Sequence, residues 1–164
     1  MAATTENDVL CAYNETPTWK QTNQLTFEHI FARLGLCTIT APAGYTGSNL
    51  SVTVKPKVSG NYNLRTGAWS GTVNASGDVT ITTSFDGGGS VNDIYLVPGR
   101  YTIKASYTLS KGTYSQDFSR SASVEVQPGK INLITATLPE GEATDLLFSV
   151  TVSPWTNCTL TPSF

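Results

Sequence analysis

Across residues 25–42, LTFEHIFARLGLCTITAP, the apolar side chains change phase partway along, and that change limits what the segment can become. Leu25 and Phe27 sit two apart, as on one face of a strand. From Ile30 to Leu36 apolar residues fall on both faces, and alternation then resumes around Cys37 and Ile39. Side chains of a strand alternate faces with period two, so a switch of phase requires a bulge or a strand covered on both sides. A helix over residues 27–36 competes, because Phe27, Ile30, Phe31 and Leu34 lie at i, i+3, i+4 and i+7. That span has no clear cap and runs straight into CTIT, which favours a long strand, bent or bulged.

The rest of the chain is patterned as strands. Leu50, Val52, Val54 and Val58 share one parity, with Pro56 on the same parity. Proline cannot donate to a ladder, so this strand is expected to lie at an edge or to end there. Turns are marked at Ser59–Gly60 and Thr66–Gly67, and Val79 and Ile81 form another alternating strand. The second half reads as a series of hairpins. Ile94 and Leu96 lead to Pro98–Gly99, and Tyr101, Ile103, Ala105, Tyr107 and Leu109 alternate up to Lys111–Gly112. Ala122, Val124 and Val126 precede Pro128–Gly129; Ile131, Leu133 and Thr135 share a parity; Leu146, Phe148, Val150 and Val152 alternate before Pro154–Trp155. Turn signals at such short spacing predict an all-β fold, an antiparallel two-sheet β-sandwich of immunoglobulin-like or transthyretin-like kind with about seven strands or slightly more. Its inner faces are expected to carry Phe27, Leu50, Val52, Val54, Ile103, Val124, Ile131, Phe148 and Val150.

At 164 residues the chain is long enough to bury one real core. Charged residues make up 13% and the net charge is −2, which gives no reason to expect nucleic acid or an anionic membrane as a partner. No apolar run is long enough for a transmembrane helix. The first residues, MAATTENDVL, have neither a basic nor an apolar leader region, so an exported protein would be present here in mature or trimmed form.

No catalytic constellation stands out. His29, the one histidine, lies inside the most apolar strand, and no GxSxG elbow accompanies it, so it is read as structural. Glu28, Asp78, Asp86, Asp93, Glu125 and Asp145 are spread among turns and strand ends and nominate no pair. Residues 86–90, DGGGS, lack the GK[ST] ending and following helix of a phosphate loop, and read as a mobile surface loop. Asp86 and Asp93 lack the alternating order of a calcium loop. Cys11, Cys37 and Cys158 show no zinc spacing; buried thiols are the simpler reading, with one disulfide at most. No cofactor or metal site is expected. Trp19, Trp69, Trp155 and the tyrosines offer a sugar-binding face as an alternative use, although Tyr101, Tyr107 and Tyr114 sit in strands with core-parity residues, where cross-strand pairing is commoner.

Several stretches together resemble the fimbrillin family, pilus subunits of anaerobic Gram-negative gut and oral bacteria. LTFEHIFARLGLCTIT is similar to that family's L-x-F-x-H-x-x-A-[KR]-[LV] strand, with Leu25, Phe27, His29, Ala32, Arg33 and Leu34 on its positions. DVLCAYNET before it, and VSGNYNLRTGAW, DIYLVPGRYTIKASYTLSKGTY, VEVQPGKINLITATLP and DLLFSVTVSPW after it, follow the family's order of motifs over roughly residues 8 to 156. The resemblance implies a non-enzymatic structural subunit, or a tip or adhesin component, of a cell-surface fimbria. It implies export through an outer-membrane lipoprotein precursor, and partner pilins joined by strand complementation at a sheet edge. A carbohydrate- or host-surface-binding module, or a decoration domain on a virus of such bacteria, is the alternative. Family members carry two sandwich domains, so this chain resembles the C-terminal one: 1–22 as lead-in or linker remnant, 23–156 as the sandwich, 157–164 as a tail. The lead-in is expected to add little burial and to be dispensable; residues 145–164 are not. TLTPSF, at the end, is a candidate for donation to a neighbour's sheet edge.

Overall fold

The computed structural model describes residues 2–5, 9–13, 25–83, 85, 94–138, 148–154 and 158–160, and these contain strands and no helix. Fourteen strands occur among them: β1 (Ala2–Thr4), β2 (Leu10–Cys11), β3 (Leu25–His29), β4 (Ala32–Thr40), β5 (Thr46–Val54), β6 (Lys57–Asn63), β7 (Ala68–Asn74), β8 (Val79–Thr82), β9 (Ile94–Leu96), β10 (Gly99–Lys111), β11 (Tyr114–Val126), β12 (Lys130–Thr137), β13 (Phe148–Pro154) and β14 (Cys158–Leu160). Two four-stranded sheets, β11-β10-β5-β8 and β13-β12-β4-β9, face each other across the main core. Two three-stranded sheets, β1-β6-β7 and β14-β3-β2, stand at one end. The all-β sandwich is as the alternation predicts. The strand number exceeds the expected seven or slightly more, partly because two segments read as single strands cross from one sheet into another and partly because the lead-in and tail contribute β1, β2 and β14.

Residues 25–42 are the first such case. The chain leaves β3, passes through Ile30 and Phe31, both buried, and enters a different sheet as β4. Within β4, Ile134 pairs with Leu36 and Thr135 with Thr38, so Cys37 is an extra residue. Before it the buried side chains of β4 are Ala32 and Leu34, with Gly35 buried but bearing none; after it the buried side chain is Ile39. The bulge converts even parity into odd, which is the phase change in the sequence. The helix alternative does not occur.

Residues 46–63 are the second case. β5 ends at Val54, Pro56 is buried, and the chain re-emerges in another sheet as β6. A further bulge lies in β5, where Tyr107 faces both Asn49 and Leu50 across a register shift. Asn49 adopts φ 53°, a left-handed conformation that asparagine tolerates better than most residues, and its amide donates to Thr108 Oγ1 at 3.1 Å.

The core contains Leu50, Val52, Val54, Ile103 and Val124 as expected, with Val150 half-buried against it. Phe27 is only half-buried, and the Phe148 side chain lies outside the described residues. In β12 the expected parity is reversed: Asn132, Ile134 and Ala136 are buried, whereas Ile131, Leu133 and Thr135 are half-buried on the other face. Asn132 makes this possible by using both ends of its amide. Its Oδ1 accepts from Gln127 N at 3.1 Å, and its Nδ2 donates to the carbonyls of Lys130, Arg33 and Gln127 at 3.1, 3.3 and 3.4 Å. A buried amide so satisfied carries little penalty. β12 also pairs parallel to β4, the one parallel ladder among the described strands and a departure from the purely antiparallel expectation.

A smaller second core consists of Ile30, Phe31 and Val97, with Val9, Cys11, Tyr62 and Trp69 packed against it. This corrects the expectation that the lead-in buries little: Val9 and Cys11 cover this core, and β1 and β2 pair with β6 and β3. Residues 14–24 lie outside the described residues. In the tail, β14 pairs antiparallel to the chain's own β3, Cys158 opposite Phe27, whereas residues 161–164 of the candidate donated segment lie outside the described residues.

Candidate functional site

β4 and β5 are the long strands on either side of the turn at residues 41–45, where Tyr45 N donates to Pro42 O at 3.0 Å and Gly44 takes φ 79°. Each belongs to a different face of the sandwich, and each has one fully paired side. β4 pairs with β12 through Thr40 and β5 pairs with β10 from Thr46 to Val54. On the opposite side β9 covers only Ala32, Arg33 and Leu34 of β4, and β8 covers only Val52, Thr53 and Val54 of β5. Among the described residues, no strand pairs with residues 35–40 or 46–51 on that side. The two half-covered stretches adjoin at the same end, so among the described residues both sheets have backbone N–H and C=O groups without a strand partner facing the same flank.

The floor beneath this flank is apolar. Ile39 and Leu50 are buried, Tyr45 is half-buried against the core, and the Phe85 ring lies directly on Gly47. A Cβ at Gly47 would stand 2.6 Å from that ring, so glycine is required for Phe85 to lie there. On the far flank of the sandwich, β11 and β13 approach one another.

A cavity of about 290 Å³ lies at the second core, lined by Glu28, His29, Ile30, Tyr62, Gly67, Trp69, Pro128, Gly129 and Lys130. His29 is half-buried on β3, and its backbone pairs with Leu10. Gly129 takes φ 58° and donates its N–H to Phe31 O at 3.1 Å; a Cβ there would meet His29 O at 3.0 Å. Among the described residues that line the cavity, Tyr62 brings a phenolic hydroxyl and none is a serine, threonine or cysteine. The sequence pattern of the fimbrillin-like family matches residues 2–155.

The chain belongs to the fimbrillin-like family.

Among solved structures, a proposed cell adhesion protein from Parabacteroides distasonis is similar at 16% identity and TM-score 0.53, over 79% of this chain and 53% of its own. Others from Bacteroides ovatus and Bacteroides eggerthii align at 16% and 13% identity with TM-scores of 0.41 and 0.44. They cover 80% and 84% of this chain and 48% and 59% of their own. This fimbrillin-like chain thus spans about half the length of these relatives, and its likeness to the Parabacteroides distasonis protein is one of fold. No curated protein matches it.

Among the described residues, most aromatics of the fimbrillin-like fold pack within it, while Tyr13 and Tyr114 are exposed. Trp69 is half-buried, with its ring centroid 5.0 Å from Phe31 and 5.1 Å from Tyr62. Tyr107 stacks on Phe118, its direct cross-strand partner, at 5.4 Å. Tyr101 donates its hydroxyl to Val97 O, and burial pushes its pKa up to about 12. Tyr114 is exposed, 6.2 Å edge-on from Tyr45. Trp19 and Trp155 lie outside the described residues. So do Asp86 and Asp93 of the glycine loop, and among the described residues no three acids, cysteines or histidines cluster as metal ligands. Cys11 is a half-buried free thiol that burial pushes above its usual pKa; the side chains of Cys37 and Cys158 are not among those described. Among the described residues no helix is long and apolar enough to cross a membrane.

Proposed function

We propose that this fimbrillin-like chain is a structural or adhesive component of a bacterial surface fimbria, and that a strand from a partner subunit joins it along the half-covered sides of β4 and β5. The observation that carries this reading is the shared one-sidedness of residues 35–40 and 46–51 over an apolar floor of Ile39, Leu50 and Phe85. An extended segment entering there would pair with backbone groups on one or both strands and set alternate side chains against the floor. Family membership supports a pilus-related role, and the solved neighbours proposed as cell adhesion proteins support a place on the cell surface. The non-enzymatic role belongs to the same proposal.

Hydrogen exchange tests it. In the monomer, amides of residues 35–40 and 46–51 that do not bond to β12 or β10 exchange quickly. On assembly into fibres these amides slow by at least tenfold, while those of β10 and β11 stay as they were. Protection that arises on β7 or β11 instead, with none at residues 35–40 or 46–51, sinks this assignment.

A further inference from the structure

Of the ten lysines and arginines in the chain, four line a single cavity. It measures about 260 Å³ and is bounded by Lys55, Lys57, Asn74, Asp78, Arg100, Tyr101, Thr102 and Lys104. In a chain of net charge −2, this is a local excess of cations against the single lining acid Asp78. The cavity sits in the crease where β5 gives way to β6 at buried Pro56, facing the start of β10 and the link between β7 and β8.

The crease is held by backbone contacts. Val97 N donates to Lys57 O at 2.9 Å, Ala75 N donates to Pro56 O at 2.8 Å, and Lys57 stands opposite Asn74 in the β6–β7 ladder. Arg100, Thr102 and Lys104 alternate on the outward face of β10 above buried Tyr101 and Ile103. Lys104 Nζ donates to Asp78 Oδ2 at 3.0 Å, fixing one cation at the rim. Glu125 is opposite Arg100 in the β10–β11 register, is exposed, and does not line the cavity. Like charges gathered on rigid strands repel one another, and an anionic ligand relieves that repulsion without reorganising the backbone.

We propose that this crease binds an acidic saccharide, a sugar unit carrying sulfate or carboxylate groups. The cations pair with the anionic oxygens. Thr102 and Asn74 supply neutral hydrogen-bonding groups, and Asp78 an acceptor, for the hydroxyls of the same sugar. The cavity is larger than a bare oxyanion requires. Tyr101 is 5% exposed and its hydroxyl is engaged with Val97 O, so it offers no stacking platform of the kind single-stranded nucleic acid uses. The site lies away from the half-covered flank of β4 and β5, so it stands or falls independently of the assembly proposal.

Calorimetry on the whole chain at fixed salt tests it with four probes: a sulfated tetrasaccharide, a tetragalacturonate, a neutral tetrasaccharide and oligothymidylate, with inorganic sulfate as competitor. The expected result is binding of one or both acidic saccharides and of neither other probe. The double substitution Lys55→Gln/Arg100→Gln then weakens that binding at least tenfold, and Arg65→Gln/Lys130→Gln, the same charge change elsewhere, alters it less than twofold. Which acidic probe binds more tightly identifies sulfate or carboxylate as the recognised group. Arg100→Lys, which keeps the charge, retains most of the affinity, and thermal unfolding confirms that each variant is folded. The proposal is overturned if no acidic saccharide binds, if both double variants lose affinity equally, or if oligothymidylate or free sulfate binds as tightly as the saccharides.

Discussion

The main core lies between two four-stranded sheets and draws on eight strands or their ends, so each side chain has many apolar neighbours. The second core has Ile30, Phe31 and Val97 at its centre, roofed by half-buried residues from β2, β6, β7 and the residue before β2. The first is redundant and the second is not. Burial in the first comes from regular alternation along strands. In the second it depends on one ring, Phe31, at the point where the chain changes sheets.

The sharpest way to break this contrast is a pair of truncations. Phe31→Ala and Ile103→Ala both empty fully buried sites and are expected to cost about 3–5 and about 2–5 kcal/mol respectively. The modes of failure should differ. Ile103→Ala lowers the midpoint of the whole molecule, whereas Phe31→Ala first loses the near-ultraviolet signal of Trp69 while the far-ultraviolet strand signal persists. Simultaneous loss of both signals in both variants would show that the two cores melt as one.

Removing residues 1–13 is the next largest perturbation. It strips Val9 and Cys11 from the second core and β1 from β6. Complete burial of a side chain of this size contributes about 1.5–3 kcal/mol, and these are half-buried, so a loss of about 1–3 kcal/mol in chemical denaturation is expected. The truncated chain remains folded through its main core; unchanged stability would mean that the lead-in merely rests on the surface.

The smallest effect is a response to pH at the boundary between the cores. Tyr101 is an acid kept protonated by burial, with its pKa pushed from 10 to about 12. The unfolded chain releases this proton near pH 10 and the folded chain near 12, so stability falls across that interval and the fall levels off above it. The decline amounts to at most roughly 3 kcal/mol. Tyr101→Phe is less stable at neutral pH, having lost the bond to Val97 O, but its decline between pH 10 and 12 is shallower. An equally steep decline would assign it to Tyr62 and Tyr107, whose pKa values burial also raises.

What the sequence reveals follows the same division. The parity of β5 and β10, the stop at Pro56 and the phase switch at Cys37 are local patterns, and a reader of the chain can find them. β12 misleads because Asn132 looks like an outward residue; three of its hydrogen bonds fold back onto Gln127 and Lys130 around the preceding turn, and the fourth, to Arg33 O, depends on a strand far away in sequence. The parallel partner of β12 and the roofing of Phe31 by Val9 are equally non-local. Lys55, Lys57, Arg100 and Lys104 look like scattered surface charges until the crease between β5 and β6 brings them to one cavity.

The parallel ladder between β4 and β12 also sets an order of events. β4 carries the densest apolar sequence of the chain near its beginning, while β12 is made after most of the chain has followed. A polypeptide that emerges from synthesis or from a membrane channel N-terminus first therefore has Leu34 and Ile39 without their strand partner until residue 131 and its successors appear. During that delay the other side of β4, which β9 covers only at Ala32, Arg33 and Leu34, is exposed as well. The segment with the chain's phase-switched apolar run is thus among the last to obtain its strand partner, and its order of completion runs opposite to its order in the sequence.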